Sequence, residues 1–346
     1  MATTPQETTT RVVAELSSRI ETCLEQALRG TRTVAYVNYP NHGNAGDPAL
    51  WLGGLRVFQR LGIRVSYHCA PDTYDPHQLA RTDPDAIVIN GGGNLGDRYP
   101  RQQQGREAVL RDFATLRTVQ LPQSIAFSDP TALARMQQLV TRHRDLTILL
   151  RDEQSLKRAR EWFDAPVRRC PDLAFALGTR PRTDRPRHEL LWLARDDQES
   201  TGHRLELEDL DAEVTDWLGT ITDEPAWSRR ARTARWIDRT LASGVRGGKA
   251  TSRWRQRITA PTYRQLAEAR VLRGMRILAR GRVVVTDRLH GHVLSLLQGI
   301  PHVVLDNIDG KVRSLFDTDT HRCPIAHFAK DPDEATELAR ALLAQR

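Results

Sequence analysis

The chain has 346 residues, 39% of them hydrophobic and 27% charged, which suits about two domain cores and excludes a small cross-linked module. No window reaches the roughly 18 uninterrupted apolar residues of a membrane helix, and the opening MATTPQETTTR lacks the basic region and apolar core of a secretory signal, so the expected location is the cytoplasm. Lysine and arginine total 51 against 43 acidic residues, and this net +8 favours an anionic partner, unless it reflects only the arginine-rich coding of a GC-rich genome.

In chain order, Val12, Val13, Leu16, Ile20, Leu24 and Leu28 recur at helical spacing, and Gly30 closes that helix. A strand is expected at 33–37, then a polar loop, then a helix with Pro48 in its first turn and Trp51, Leu55, Phe58 and Leu61 on one face. The alternation continues with strands at 64–68 and 86–90, a helix at 105–116, a strand at 118–121, a helix at 130–143, a strand at 146–150 and a helix at 153–163. Strands separated by helices of this length pair in parallel, which predicts an α/β chain of doubly wound, Rossmann-like sheets. The proline- and arginine-rich stretch GTRPRTDRPRH reads as a crossover, giving domains at 1–178 and 189–330 joined by a linker at 179–188. The second half is expected to hold a strand at 189–194, helices across 207–245 and 262–280, a strand at 282–286, a helix at 290–298, a strand at 302–305 and a helix near 311–317. Asp331 as N-cap with Pro332 behind it opens a C-terminal helix over 331–346.

Ligands of open α/β sheets bind beyond the carboxyl ends of the strands, so the loops after strands are the places to search. In Asn41-His42-Gly43-Asn44-Ala45-Gly46-Asp47 the glycines allow close backbone approach, and Asn44 and Asp47 offer polar groups, although Asp47 alternatively caps the next helix. Gly91, Gly93 and Gly96 satisfy GxGxxG, but Pro100 argues against a helix opening at the third glycine and the motif follows a later strand. That loop, with Gly92, Gly93 and Asn94, reads instead as a glycine-lined wall for a ligand or as a plain turn. In Thr286-Asp287-Arg288-Leu289-His290-Gly291-His292, cations at a helix start suit a phosphate or carboxylate, the other readings being a buried structural histidine or an Asp287–Arg288 pair. No third ligand at zinc-like spacing accompanies His290 and His292, so no metal is expected. Arg151 and Arg195 stand at strand ends, and Lys311 follows a later strand. Cys23, Cys69, Cys170 and Cys323 lie far apart with no CxxC pair, which suggests neither a disulfide framework nor a thiolate metal site.

The ordered set NHGNAGD, NGGGNLGD, LPQS, LLRDEQS, CPDLAF, TDRLHGHVLSLLQGIP and DNIDGKV, from about 33 to 318, resembles the polysaccharide pyruvyl transferase family. The resemblance implies a two-domain, GT-B-like fold and transfer of the pyruvyl group of phosphoenolpyruvate to sugar hydroxyls as a cyclic ketal, with no cofactor. It implies catalytic roles for Arg288, His290 and Arg151 and a binding role for Lys311; Gln123, Ser124, Arg195 and Asp287 complete the candidate set. The expected partners are phosphoenolpyruvate and a saccharide or lipid-linked glycan. The basic stretch 226–258, with Trp227, Trp236 and Trp254, reads as a grip on an acidic glycan or on the inner membrane face, or else as a solvated loop. No nucleic-acid module accompanies it. A nucleotide-sugar glycosyltransferase of the same architecture and a noncatalytic anion- or glycan-binding protein are the alternatives.

Overall fold

The computed structural model describes residues 3–182, 184–197, 199–217, 236 and 249–345, with the side chains of 249–255 excepted. Most of the basic stretch 226–258 therefore lies outside the described residues. The first sheet is built from β1 (Thr33–Val37), β2 (Arg64–His68), β3 (Ala86–Ile89), β4 (Gly92–Gly96), β5 (Thr118–Ala126), β6 (Leu146–Leu150) and β7 (Val167–Arg169). Its order is β2-β1-β3-β5-β6-β7, with β4 paired to β5, and all of its pairings are parallel. The second sheet, of β8 (His188–Leu193), β9 (Ala212–Thr215), β10 (Gly281–Thr286), β11 (His302–Val304) and β12 (Ala326–Phe328), runs β12-β11-β10-β8-β9 and is also parallel. In each sheet the first strand lies between the second and third of its set, so the strand order reverses once, at β1/β3 and at β8/β10. Those reversals are the topological switch points at which α/β sheets open a crevice.

The helices are α1 (Pro5–Ala27), α2 (Gly46–Arg60), α3 (Pro76–Thr82), α4 (Pro100–Asp112), α5 (Pro130–Arg142), α6 (Glu153–Trp162), α7 (Lys249–Leu278), α8 (Leu289–Gln298), α9 (Lys311–Leu315) and α10 (Pro332–Ala344). Strand alternation divides the core: Val34 and Tyr36 face one apolar cluster, Ala35 and Val37 another. The first cluster is continuous between the sheets, joining Leu16 and Ile20 of α1, Trp51 of α2 and Val293 and Leu297 of α8 to Val88, Leu149, Leu191 and Val284. At its centre Tyr36 stacks on Trp51 with ring centroids 3.7 Å apart, and its hydroxyl donates to Asn90 at 2.7 Å.

Several expectations are corrected. The expected helix across 207–245 is interrupted by β9, which pairs with β8 as an edge strand and leaves Val214 exposed; the rest of that span is mostly outside the described residues. The helix expected at 105–116 starts at Pro100, because proline suits a first turn whose N–H has no intrahelical acceptor. The strand expected at 118–121 runs on to Ala126: Pro122 interrupts the ladder at a register shift, beyond which β5 takes β4 as its neighbour. The glycine-rich run read as a wall or turn is β4 itself. The helix expected at 262–280 begins at Lys249 and carries Pro261 inside it. Among the described residues no helix is long and apolar enough to cross a membrane.

Trp51 is fully buried in the cluster that joins the sheets, so Trp51→Ala should cost about 3–5 kcal/mol in urea unfolding. A loss under about 1 kcal/mol would show that the stack is not a structural centre.

Candidate functional site

Between the carboxyl ends of the two sheets lies a cavity of about 310 Å³. It is supplied by the loop after β1 (His42, Asn44, Asp47), β4 (Gly93, Asn94), Arg151 after β6, Arg195 after β8, Arg288 and His290 around the start of α8, and Lys311 at the start of α9. Tyr99, Gln102, Glu199 and Trp217 are among the other residues of the wall. Parallel pairing aims every one of these strand ends the same way, which is how residues far apart in sequence come to share one cavity. Two helices, α2 and α8, start at the cavity; Asn44 Oδ1 accepts from Gly46 N at 2.7 Å at the start of α2, and the N-cap of α8 has no side-chain hydrogen bond. Their first N–H groups add partial positive charge to the cations.

Two close approaches fix the geometry. A Cβ on Gly93 would stand 3.2 Å from both Arg151 Nη2 and Lys311 Nζ, so the bare backbone lets cations from the two halves of the chain come together. A Cβ on Gly46 would stand 2.3 Å from His290 Nδ1, so only glycine lets the start of α2 lie against that imidazole.

Arg151 Nη1 donates to Asp172 at 2.8 Å and its Nε to Ser124 Oγ at 2.9 Å, while Ser124 in turn donates to Asp152 at 2.7 Å. His290 Nε2 stands 3.4 Å from the same Asp172 oxygen, close enough for an ion pair but outside hydrogen-bond geometry. Burial works against the Asp172 charge, yet His290 and Arg151 outweigh it and hold the carboxyl at about 2. Arg288 grips Asp216 through Nε at 2.6 Å and Nη2 at 2.7 Å. Arg195 reaches Asp197 and Glu199, each at 2.7 Å, and Lys311 hydrogen-bonds Glu199. Burial lowers the Lys311 ammonium below its ordinary value, with Glu199 opposing, and Glu199 itself is held low against burial by Lys311 and Arg195.

The structure thus brings together Arg151, Arg195, Arg288, His290, Lys311, Asn44, Asp47, Gly93 and Asn94. It does not bring Gly92, Gln123, Ser124 or Asp287 to the cavity. Gly92 lies buried behind Asp47 and Leu50, and Gln123 is a brace whose side chain meets the backbone N–H and the side chain of Asn94. Ser124 orients Arg151 as described, and Asp287 is buried with Oδ1 lacking a partner among the described residues. His292 points into the core, with Nδ1 2.7 Å from His302 and Nε2 2.8 Å from Thr320. Sequence reasoning missed Asp172, although it sits in the quoted CPDLAF, and it missed Glu199, Asp216 and Trp217, which no motif marks.

Buried cations from both sheets, each paired with a carboxylate, thus gather at the carboxyl ends of parallel strands, where α/β proteins bind their ligands. The model for polysaccharide pyruvyl transferases matches residues 44–310, and the chain belongs to that family. It is 31% identical over 332 residues to Pyruvyl transferase 1 of Schizosaccharomyces pombe, covering 89% of this chain and 75% of that one. It is 29% identical over 287 residues to EpsO of Bacillus subtilis, covering 82% and 84%. A crystal structure of an uncharacterized Klebsiella pneumoniae protein shares the fold at a TM-score of 0.55 and 15% identity, over 91% of this chain and 98% of that one.

Burial pushes the Asp287 carboxyl up to about 6, above the roughly 3.9 of an unfolded aspartate. The folded state therefore holds that proton more firmly, and stability should fall as pH rises from about 4 through 6. Asp287→Asn should gain on the wild type by about 2 kcal/mol between pH 4 and pH 8 in urea titrations. Parallel pH profiles for the two proteins would contradict this account of the buried carboxyl.

Proposed function

We propose that the cavity binds phosphoenolpyruvate and transfers its pyruvyl group, as a cyclic ketal, to hydroxyls of a saccharide or lipid-linked glycan, releasing phosphate. The observation that carries this reading is the meeting of Arg151 Nη2 and Lys311 Nζ over Gly93, beside Arg288, Arg195 and two helix N-termini. Phosphoenolpyruvate brings a phosphate and a carboxylate, roughly three negative charges at neutral pH, and the paired arginines and lysine supply charged donors that such a ligand can take over from their carboxylates. Arg151 and Lys311 flank the phosphate, while Arg288, whose fork is suited to a carboxylate, orients the other end. His290, seated on Asp172, delivers a proton to the methylene carbon, which leaves C2 electron-poor and open to an acceptor hydroxyl. Phosphate then departs, and a neighbouring hydroxyl closes the ketal. Holding both hydroxyls beside C2 removes much of the entropic barrier. On the same reading the two sheets are the lobes of a GT-B-like enzyme, joined through 179–188.

The wild type should release phosphate from phosphoenolpyruvate only when an acceptor glycan is present, and the acceptor should gain about 70 Da, a pyruvyl ketal added with loss of phosphate. Arg151→Ala and Lys311→Ala should each reduce that release at least about a hundredfold. Binding of a nucleotide sugar with no response to phosphoenolpyruvate would reject the reading in favour of a glycosyltransferase.

A further inference from the structure

A second cavity, of about 250 Å³, opens beside the first at the β1/β3 switch point and shares His42, Asn94 and Gln102 with it. Its chemistry differs. Asn38, Asn41 and Asn90 add amides to Asn94 and Gln102, and its one arginine, Arg101, is paired with Asp72 at 2.7 Å. Amides both donate and accept, as sugar hydroxyls do, so this lining suits a neutral polyhydroxylated ligand as poorly matched to the cation cavity as phosphoenolpyruvate is to this one.

We propose that this amide-lined cavity receives a sugar unit of the acceptor and that His42, held by Asp47, takes the proton of the attacking hydroxyl. The proposal rests on the phosphoenolpyruvate reading above and adds an acceptor subsite and a base to it.

His42 stands where the two cavities meet, and Asp47 Oδ2 lies 3.1 Å from its Nε2. A carboxylate beside Nε2 favours the tautomer that keeps its proton on that nitrogen, and the neutral ring then offers Nδ1 as the acceptor. Burial opposes the Asp47 charge, but His42, His290 and Arg151 hold the carboxyl well below the ordinary range, so it stays ionised to orient the ring. The loop is braced on both sides of His42: Arg270 of α7 donates to Pro40 O at 2.8 Å and to Asn41 Oδ1 at 3.2 Å, and Arg273 donates to Gly43 O at 2.8 Å. Asn38 turns the chain at φ 64°, a conformation uncommon outside glycine, and brings its amide to the carbonyl of Gln102. An arrangement fixed by buried arginines and a strained asparagine is preorganised in the way a general base requires.

The methylene carbon gains a proton and becomes a methyl group, the acceptor oxygen bonds to C2, and the hydroxyl proton passes to His42 Nδ1. The bond from C2 to the phosphate oxygen breaks with its electron pair on that oxygen, and a second hydroxyl closes the ketal. Of the two hydroxyl protons, one is accounted for by the methyl group and the other leaves with phosphate.

The test compares His42→Gln, His42→Ala, Asn41→Ala and wild type by calorimetry with phosphoenolpyruvate and by phosphate release with the best acceptor of a hexoside panel. His42→Gln should still give measurable phosphoenolpyruvate binding by calorimetry, which shows that it folds, while losing acceptor-dependent release at least about a hundredfold, far more than any fall in donor affinity. Imidazole should restore part of the rate to His42→Ala. Asn41→Ala should raise the acceptor KM about tenfold and leave the phosphoenolpyruvate KM unchanged. The proposal is overturned if His42→Gln keeps its rate within threefold, or if donor affinity falls in parallel with rate. A wild type that neither binds phosphoenolpyruvate nor releases phosphate from it refutes the donor reading instead.

Discussion

The two sheets meet functionally at one buried carboxylate. Asp172 follows β7 and caps the short helical turn Leu173–Leu177 through Ala174 N at 2.9 Å. One of its oxygens faces Arg151 from the first sheet and His290 from the second. An isolated arginine buried this deeply would be costly, and so would the carboxylate, so each group's position requires the other. The contact of Gly46 with the His290 ring then sets the start of α2 against the start of α8, and the cavity takes its shape from those constraints.

The cavity is electrically self-compensated rather than simply positive. Arg288 is engaged by Asp216, Arg195 and Lys311 share Glu199, and Arg151 faces Asp172. Without such partners, four cations in a low-dielectric wall would repel one another and destabilise the fold. On the proposed reading, a bound anion would exchange one set of carboxylates for another, which favours ligands with several charges in the right places over singly charged ones. Acids supplied by the segment after β8 and by Asp216 after β9 thus hold the cations in place.

The fold was legible wherever hydrophobic period was strong. The helix at the N-terminus, the strands of the first sheet's centre and the helix behind Pro332 follow from spacing and capping alone. Three edge strands were not: β7 and β12 are three residues each, and β9 carries too few buried side chains to show a strand period. Arg151, Arg288 and Lys311 could be picked out because each is a cation just beyond a strand. Gln123 and Ser124 were mistaken for cavity residues because polar side chains at a strand end look alike whether they face a ligand or brace the residue that does. Asp216 and Glu199 were invisible, since their part depends on β8 and β9 lying side by side, which no local pattern records.

On the proposed reading, cations from both sheets hold a single anion over Gly93. A crystal structure of the protein soaked with phosphoenolpyruvate tests it most directly. The account predicts the phosphate within hydrogen-bond reach of Arg151 Nη2 and Lys311 Nζ, with the carboxylate toward Arg288. Phosphoenolpyruvate bound elsewhere, or failing to bind at concentrations well above those of a working donor, would contradict it.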